Sequence, residues 1–96
     1  MNHLYLQLGR AIAGQCPPGF RQARLEAAPD QGETAIACTL ADGSEVAPDL
    51  PEDAQDAIWD ALQQIRDEME KAEGRRWRRC TVTLVAGGGF GMEVDY

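Results

Sequence analysis

Asp49, Glu52, Asp53, Asp56 and Asp60 place five carboxylates within twelve residues, and no lysine or arginine falls among them. Carboxylates so concentrated have three uses: holding a hard cation, moving a proton, or attracting a cationic partner. A calcium site draws six to eight oxygens from a folded loop. Here Asp53, Asp56 and Asp60 recur at helical spacing and no EF-hand pattern surrounds them, so no metal site is expected. Proton transfer at neutral pH calls for a carboxyl group pushed into apolar surroundings, and these acids alternate with residues of an ordinary solvated helix face. The third use remains. Residues 25–65 contain no basic residue at all, yet they hold ten of the chain's 16 acids. Charge segregated in this way creates a negative field that speeds encounter with a basic partner and weakens as salt rises. Trp59 sits between Asp56 and Asp60 at the edge of an apolar stripe, a placement that suits an interface anchor. The candidate partner-binding residues are therefore Asp49, Glu52, Asp53, Asp56, Trp59 and Asp60.

The other reactive residue types form no comparable set. There is one histidine, His3, near the N-terminus, and the only serine is Ser44. Without a nucleophile–base pair, no enzyme activity and no cofactor are expected. Gly87-Gly88-Gly89-Phe90-Gly91 is glycine-rich, but a phosphate loop must lead into a helix N-terminus. These glycines join two strand-like segments, so they read as a hairpin turn. Arg75-Arg76-Trp77-Arg78-Arg79 looks like a nucleic-acid patch with an aromatic inside it. It is short and adjoins Glu68, Glu70 and Glu73, which predicts pairing within the chain instead. The net charge of −7 and pI near 4.5 likewise disfavour a nucleic-acid backbone or an anionic membrane surface.

Cys16, Cys38 and Cys80 are odd in number, widely spaced and without a CxxC pair. They read as separate reduced thiols of a cytoplasmic protein, and a zinc site would need all three together with His3. No basic segment followed by a long apolar run opens the sequence, and no apolar run approaches a membrane span of ~18 residues. Ninety-six residues with 44% hydrophobic content make one small domain able to bury a single core.

Leu4, Leu8, Ala11 and Ile12 predict an amphipathic helix over residues 2–14, ended by Gly14 and Pro17-Pro18. Ala23, Leu25 and Ala27 alternate with charged residues, as do Ile36, Cys38 and Leu40 with small ones. These are two strands of a meander turning at Pro29-Asp30-Gln31-Gly32. Asp42-Gly43 predicts a tight turn into a short strand at residues 45–47. Ala54, Ile58, Ala61, Leu62, Ile65 and Met69 define a long helix over residues 51–73. Pro51, Glu52 and Asp53 suit its first turn, and Lys71 and Gly74 suit its end. Two alternating segments around Val82 and Val94 form a C-terminal hairpin, and Trp77 caps the core beside it. Ile58, Leu62, Ile65, Val82, Leu84 and Phe90 are expected to share that core. The order of helix, strands, helix and hairpin predicts an α+β fold, an antiparallel sheet with helices packed on one face.

Several landmarks recur together. They are Pro18-Gly19-Phe20 after the first helix, Asp42-Gly43 ahead of the central helix, and the run from Leu62 through Arg66 to Met69. The clearest block runs from Trp77 through Leu84, followed by Gly89-Phe90 and Val94-Asp95-Tyr96. In combination they resemble the YezG-type family of immunity proteins of bacterial polymorphic toxin systems, over most of the chain. The resemblance implies a cytoplasmic antitoxin that blocks a toxin, often a nuclease, and it agrees with the charge pattern. The alternative expectation is a small acidic interaction module, or a secretion-type chaperone, for a basic client protein.

Overall fold

The computed structural model describes residues 2–96, with side chains from His3 onward. Helix α1 spans Asn2–Ala13 and buries Leu4, Leu8 and Ile12, one residue per turn along a single stripe. Strands β1 (Phe20–Ala28) and β2 (Glu33–Leu40) follow, joined by a 3₁₀ turn over Pro29–Gln31; β3 is the short Glu45–Val46. Helix α2 spans Glu52–Glu73, and β4 (Arg79–Val85) and β5 (Gly89–Asp95) close the chain as a hairpin. All strand pairs are antiparallel and the spatial order is β3-β2-β1-β4-β5. The α+β architecture and its element order are those read from the sequence.

β1 is the middle of the sheet and has more buried residues than any other strand. Ala23, Leu25 and Ala27 point inward, and Leu25 lies between Ile36 of β2 and Val82 of β4, all three buried. Gln22, Arg24 and Glu26 alternate with them and point to the opposite, open face. Both helices cover the inner face. α2 contributes Ile58, Ala61, Leu62 and Ile65, each fully buried, to the same cluster as the α1 stripe. The helices run antiparallel, since His3 and Leu4 share a groove with Gln64, Asp67, Glu68 and Lys71. Burial of this kind stabilises by about 1.5–3 kcal/mol per large aliphatic side chain, which fixes the rotation of α2 about its own axis.

Three sequence expectations shift. Pro51 lies outside α2 as its N-cap: its carbonyl accepts the Gln55 N–H at 2.9 Å, and the helix starts at Glu52. Proline has no N–H to give, so it fits either position. The hairpin turn is Ala86-Gly87-Gly88, and Gly89 already pairs with Val85. Gly87 and Gly88 carry φ of 99° and 113°, where a side chain would be strained. Phe90 is not a core residue. It sits on the outermost strand at 36% exposure, and its ring meets Tyr5 of α1 with centroids 5.4 Å apart.

Candidate functional site

The acidic residues are positioned by what α2 buries. Ile58, Ala61, Leu62 and Ile65 face the sheet, so Asp53, Asp56 and Asp60 lie on the opposite side of the same helix, exposed. Glu52 is exposed beside Asp53 in the first turn, where the helix dipole favours acids. Asp49 is exposed on the connection between β3 and α2, between the partly buried Val46 and Leu50 that pack against the core. Trp59 packs partly buried against the core at the margin of this face, leaving part of its indole accessible. Four of the six sequence candidates are thus exposed acids of α2, Trp59 stands half-buried among them, and Asp49 is exposed three residues before the helix. Glu45, exposed on the edge strand β3 four residues before Asp49, extends the set.

Arg66 locks the rotation of α2 from its far half. It is only 2% exposed, although its charge would favour water. Its Nε donates to the Trp77 carbonyl at 2.9 Å, its Nη2 donates to Asp30 Oδ2 at 2.8 Å, and its guanidinium carbon lies 5.3 Å from the Trp77 ring centroid. The cation is thus paired with a carboxylate, bonded to a carbonyl and set against an aromatic ring, contacts of the kind that let a buried charge be tolerated. The hydrogen bond from Arg66 holds the Asp30 carboxyl below the ordinary range, with the Arg66 charge adding to it. Trp77 is fully buried beneath this contact and so caps the core as expected. The burial of Arg66 was missed in the sequence. It occupies the helical position after Ile65, where a long side chain ordinarily reaches solvent.

The ion pairs divide the acids into two groups. Glu26 pairs with Arg24, Asp30 with Arg66, Glu33 with Arg79, Glu68 with Lys71, and both Asp67 and Glu70 with Arg76. Asp42 accepts from the Ser44 hydroxyl and backbone N–H, and these bonds hold its pKa low. Among the described residues, no ion pair engages Glu45, Asp49, Glu52, Asp53, Asp56 or Asp60, nor the scattered Glu73, Glu93 and Asp95. The first six are consecutive acids of the sequence. The arginines of the 75–79 cluster are engaged internally, though of Glu68, Glu70 and Glu73 only Glu70 takes part. Arg75 stacks 4.0 Å from the Tyr96 ring centroid and Arg78 donates to the Tyr96 carbonyl oxygen at 3.0 Å. Arg76, between Asp67 and Glu70 at 3.0 and 2.6 Å, has its pKa raised by those two carboxylates. The local repulsion on the acidic flank is thus left uncompensated within the fold, and a cation from outside would relieve it.

The remaining surfaces offer less. The open sheet face carries a shallow groove of about 310 Å³ lined by Arg24, Glu26, Ala35, Ala37, Thr39 and Glu45. A second depression, of about 430 Å³, lies between α1 and the β4–β5 hairpin and is apolar, lined by Tyr5, Leu6, Leu84 and Phe90. Among the described residues no group of three or more His, Cys, Asp or Glu side chains is placed to hold a metal ion. No described helix is long and apolar enough to cross a membrane.

The sheet and its two one-sided helices define a small α+β domain whose most distinctive surface is an uncompensated acidic flank. No model of a known protein family matches the chain, and no curated protein does.

Proposed function

We propose that this chain is an antitoxin of the immunity-protein kind, which neutralises a basic toxin of the nuclease class by binding it through Asp49, Glu52, Asp53, Asp56 and Asp60, with Trp59 at their margin. One observation supports this above the others. Among the described residues, seven consecutive acids, from Asp42 to Asp60, form no ion pair, while Glu26, Asp30 and Glu33 before them and Asp67, Glu68 and Glu70 after them are paired. An enzyme that grips nucleic-acid phosphates presents clustered lysine and arginine, and a protein that covers such a surface must carry the opposite charge. A flank without its own cations is suited to that. The landmarks shared with the YezG-type family supply the same reading from the scaffold side, and they imply a cytoplasmic setting.

The deciding experiment is capture followed by rescue. Tagged protein is used to isolate its partner from the native host, and the partner is then expressed with and without this chain. The expected result is a basic toxin that halts growth alone and is tolerated when this chain is co-produced. A basic partner that is harmless by itself would instead favour a chaperone or general interaction module. A partner bound without involvement of the acidic flank would overturn the assignment of the interface.

A further inference from the structure

The residues joining α1 to β1 do more than turn the chain. Past Ala13, the Gln15 and Cys16 N–H groups bond back to the Ile12 and Ala13 carbonyls, which folds the connection under the end of the helix. This brings Cys16 over the inward face of β2. There the Cys16 and Cys38 sulfurs lie 2.8 Å apart, well inside the ~3.5–4.0 Å of ordinary non-bonded heavy-atom contact. Cys38 is fully buried, and Cys16 is partly exposed. Cys80 takes no part. Cys38 stands opposite Ala23 of β1 and Cys80 opposite Ala27 on the other side of that strand. Four residues of strand rise separate them by about 13 Å along β1 alone, beyond the ~7 Å that a disulfide tolerates between Cα atoms.

We propose that Cys16 and Cys38 form a dithiol site for exchange with small-molecule disulfides of the glutathione class, closing into an intramolecular disulfide. Accessibility sets the order of events. The Cys16 sulfur, as thiolate, attacks one sulfur of the small disulfide. A mixed disulfide forms, the small S–S bond breaks, and the first small thiol leaves with the proton Cys16 has lost. The Cys38 sulfur then attacks Cys16 Sγ, the mixed disulfide breaks, and the second small thiol leaves with the proton from Cys38. Two protein thiols are oxidised and one small disulfide is reduced to two thiols. The Cys16 segment lies outside helix and sheet, so it can adjust to bonding distance without disturbing the strand register. Burial, reinforced by the adjacent Cys38 sulfur, pushes the Cys16 thiol up to about 12. The first step is therefore slow at neutral pH and gains roughly tenfold in rate per pH unit as the thiolate fraction rises. In a reducing cytosol the same pair rests as two thiols.

The test treats the reduced, full-length chain with mixtures of oxidised and reduced glutathione, followed by acid quenching, alkylation, intact-mass measurement and tryptic mapping. The three cysteines fall in separate tryptic peptides, residues 11–21, 25–66 and 80–96. The expected product is monomeric and lighter by two hydrogens, with the first two peptides linked and Cys80 alone alkylated. Closing a loop of this size should raise the melting temperature by about 10 °C or more, reversibly with dithiothreitol. Cys80→Ser should behave as wild type, and Cys16→Ser, altered only in a loop, should lose both the link and the stabilisation. Three alkylatable thiols under oxidising conditions, a lasting glutathione adduct on Cys16 without ring closure, or a link through Cys80 would each overturn the proposal. None of these readouts depends on the identity of the acidic flank's partner.

Discussion

Reversing Asp56 and Asp60 to lysine should cripple association while sparing the fold. Asp49, Glu52, Asp53, Asp56 and Asp60 together carry five negative charges; two reversals add four positive units and leave one negative. The whole chain goes from −7 to −3. Electrostatic steering raises association rates by about 10- to 1,000-fold. If its logarithm follows the charge of the face, a steering factor of ~100 falls to roughly 2.5, a loss of about 40-fold in on-rate. Stability should barely change. Both residues are exposed and unpaired, and both lie beyond the first turn that feels the helix dipole, so the melting temperature should stay within a few degrees. The assay is stopped-flow or surface-based kinetics against the captured partner at several salt concentrations. The two proteins should converge near 1 M salt, where the Debye length is only ~3 Å. A control, Glu73→Lys with Glu93→Lys, changes net charge equally on residues away from the flank and should slow association far less. An on-rate within twofold of wild type at low salt, or a wild-type rate indifferent to salt, would refute the electrostatic role of this face.

Leu62→Ala should cost about 3–5 kcal/mol, because Leu62 is fully buried between helix and sheet. For 96 residues that is a fall of roughly 15–25 °C in melting temperature, and Ile65→Ala should behave similarly; parent-like melting would contradict the helix register. The Asp30–Arg66 pair sets a pH signature. The native Asp30 carboxyl titrates below its ordinary 3.8, so the stability it contributes is complete above that value and is lost as pH falls through the native one. Asp30→Asn should therefore lower stability at neutral pH and flatten the acid limb, as read by urea titrations at several pH values; an unchanged acid limb would count against the pair. Gly74 ends α2 at φ 75° with open space around a prospective Cβ, so Gly74→Ala should cost about 1–2 kcal/mol of backbone strain alone, measurable by thermal melts.

Periodicity explains what could be read in advance. The stripes of α1 and α2 and the alternation of β1, β2 and β4 are local patterns, and each reports which face a residue turns to the core. They located the two helices, the hairpin and the exposed acids opposite Ile58 and Leu62. Contacts between distant segments leave no such trace. Arg66 is buried only because Asp30 and the Trp77 carbonyl arrive from other elements. Cys16 and Cys38, 22 residues apart, meet because the α1–β1 connection folds back over β2. Phe90 has the alternation of a core residue, and only its place on the outermost strand exposes it. The unpaired state of the acidic flank is intermediate in kind. Its lack of nearby lysine was visible in the sequence, while the pairing of Arg24, Arg66, Arg76 and Arg79 with other acids required the fold.

The position of β1 at the centre of the sheet also dictates when the molecule can become whole. Its partners on one side are β2 residues a short turn away, but on the other side Leu25 waits for Val82, 57 positions later. Everything through α2 yields only a β3-β2-β1 meander, with β1 as a bare edge carrying Ala23, Leu25 and Ala27 and nothing yet bonded to its outer groups. Such an edge invites pairing with other chains. The C-terminal hairpin closes it and substitutes a less inviting border, since β5 carries Gly89, Gly91, Glu93 and Asp95. Completion thus hinges on long-range closure, which places folding toward the slow side for a chain this short and makes the last two strands a guard against self-association during synthesis.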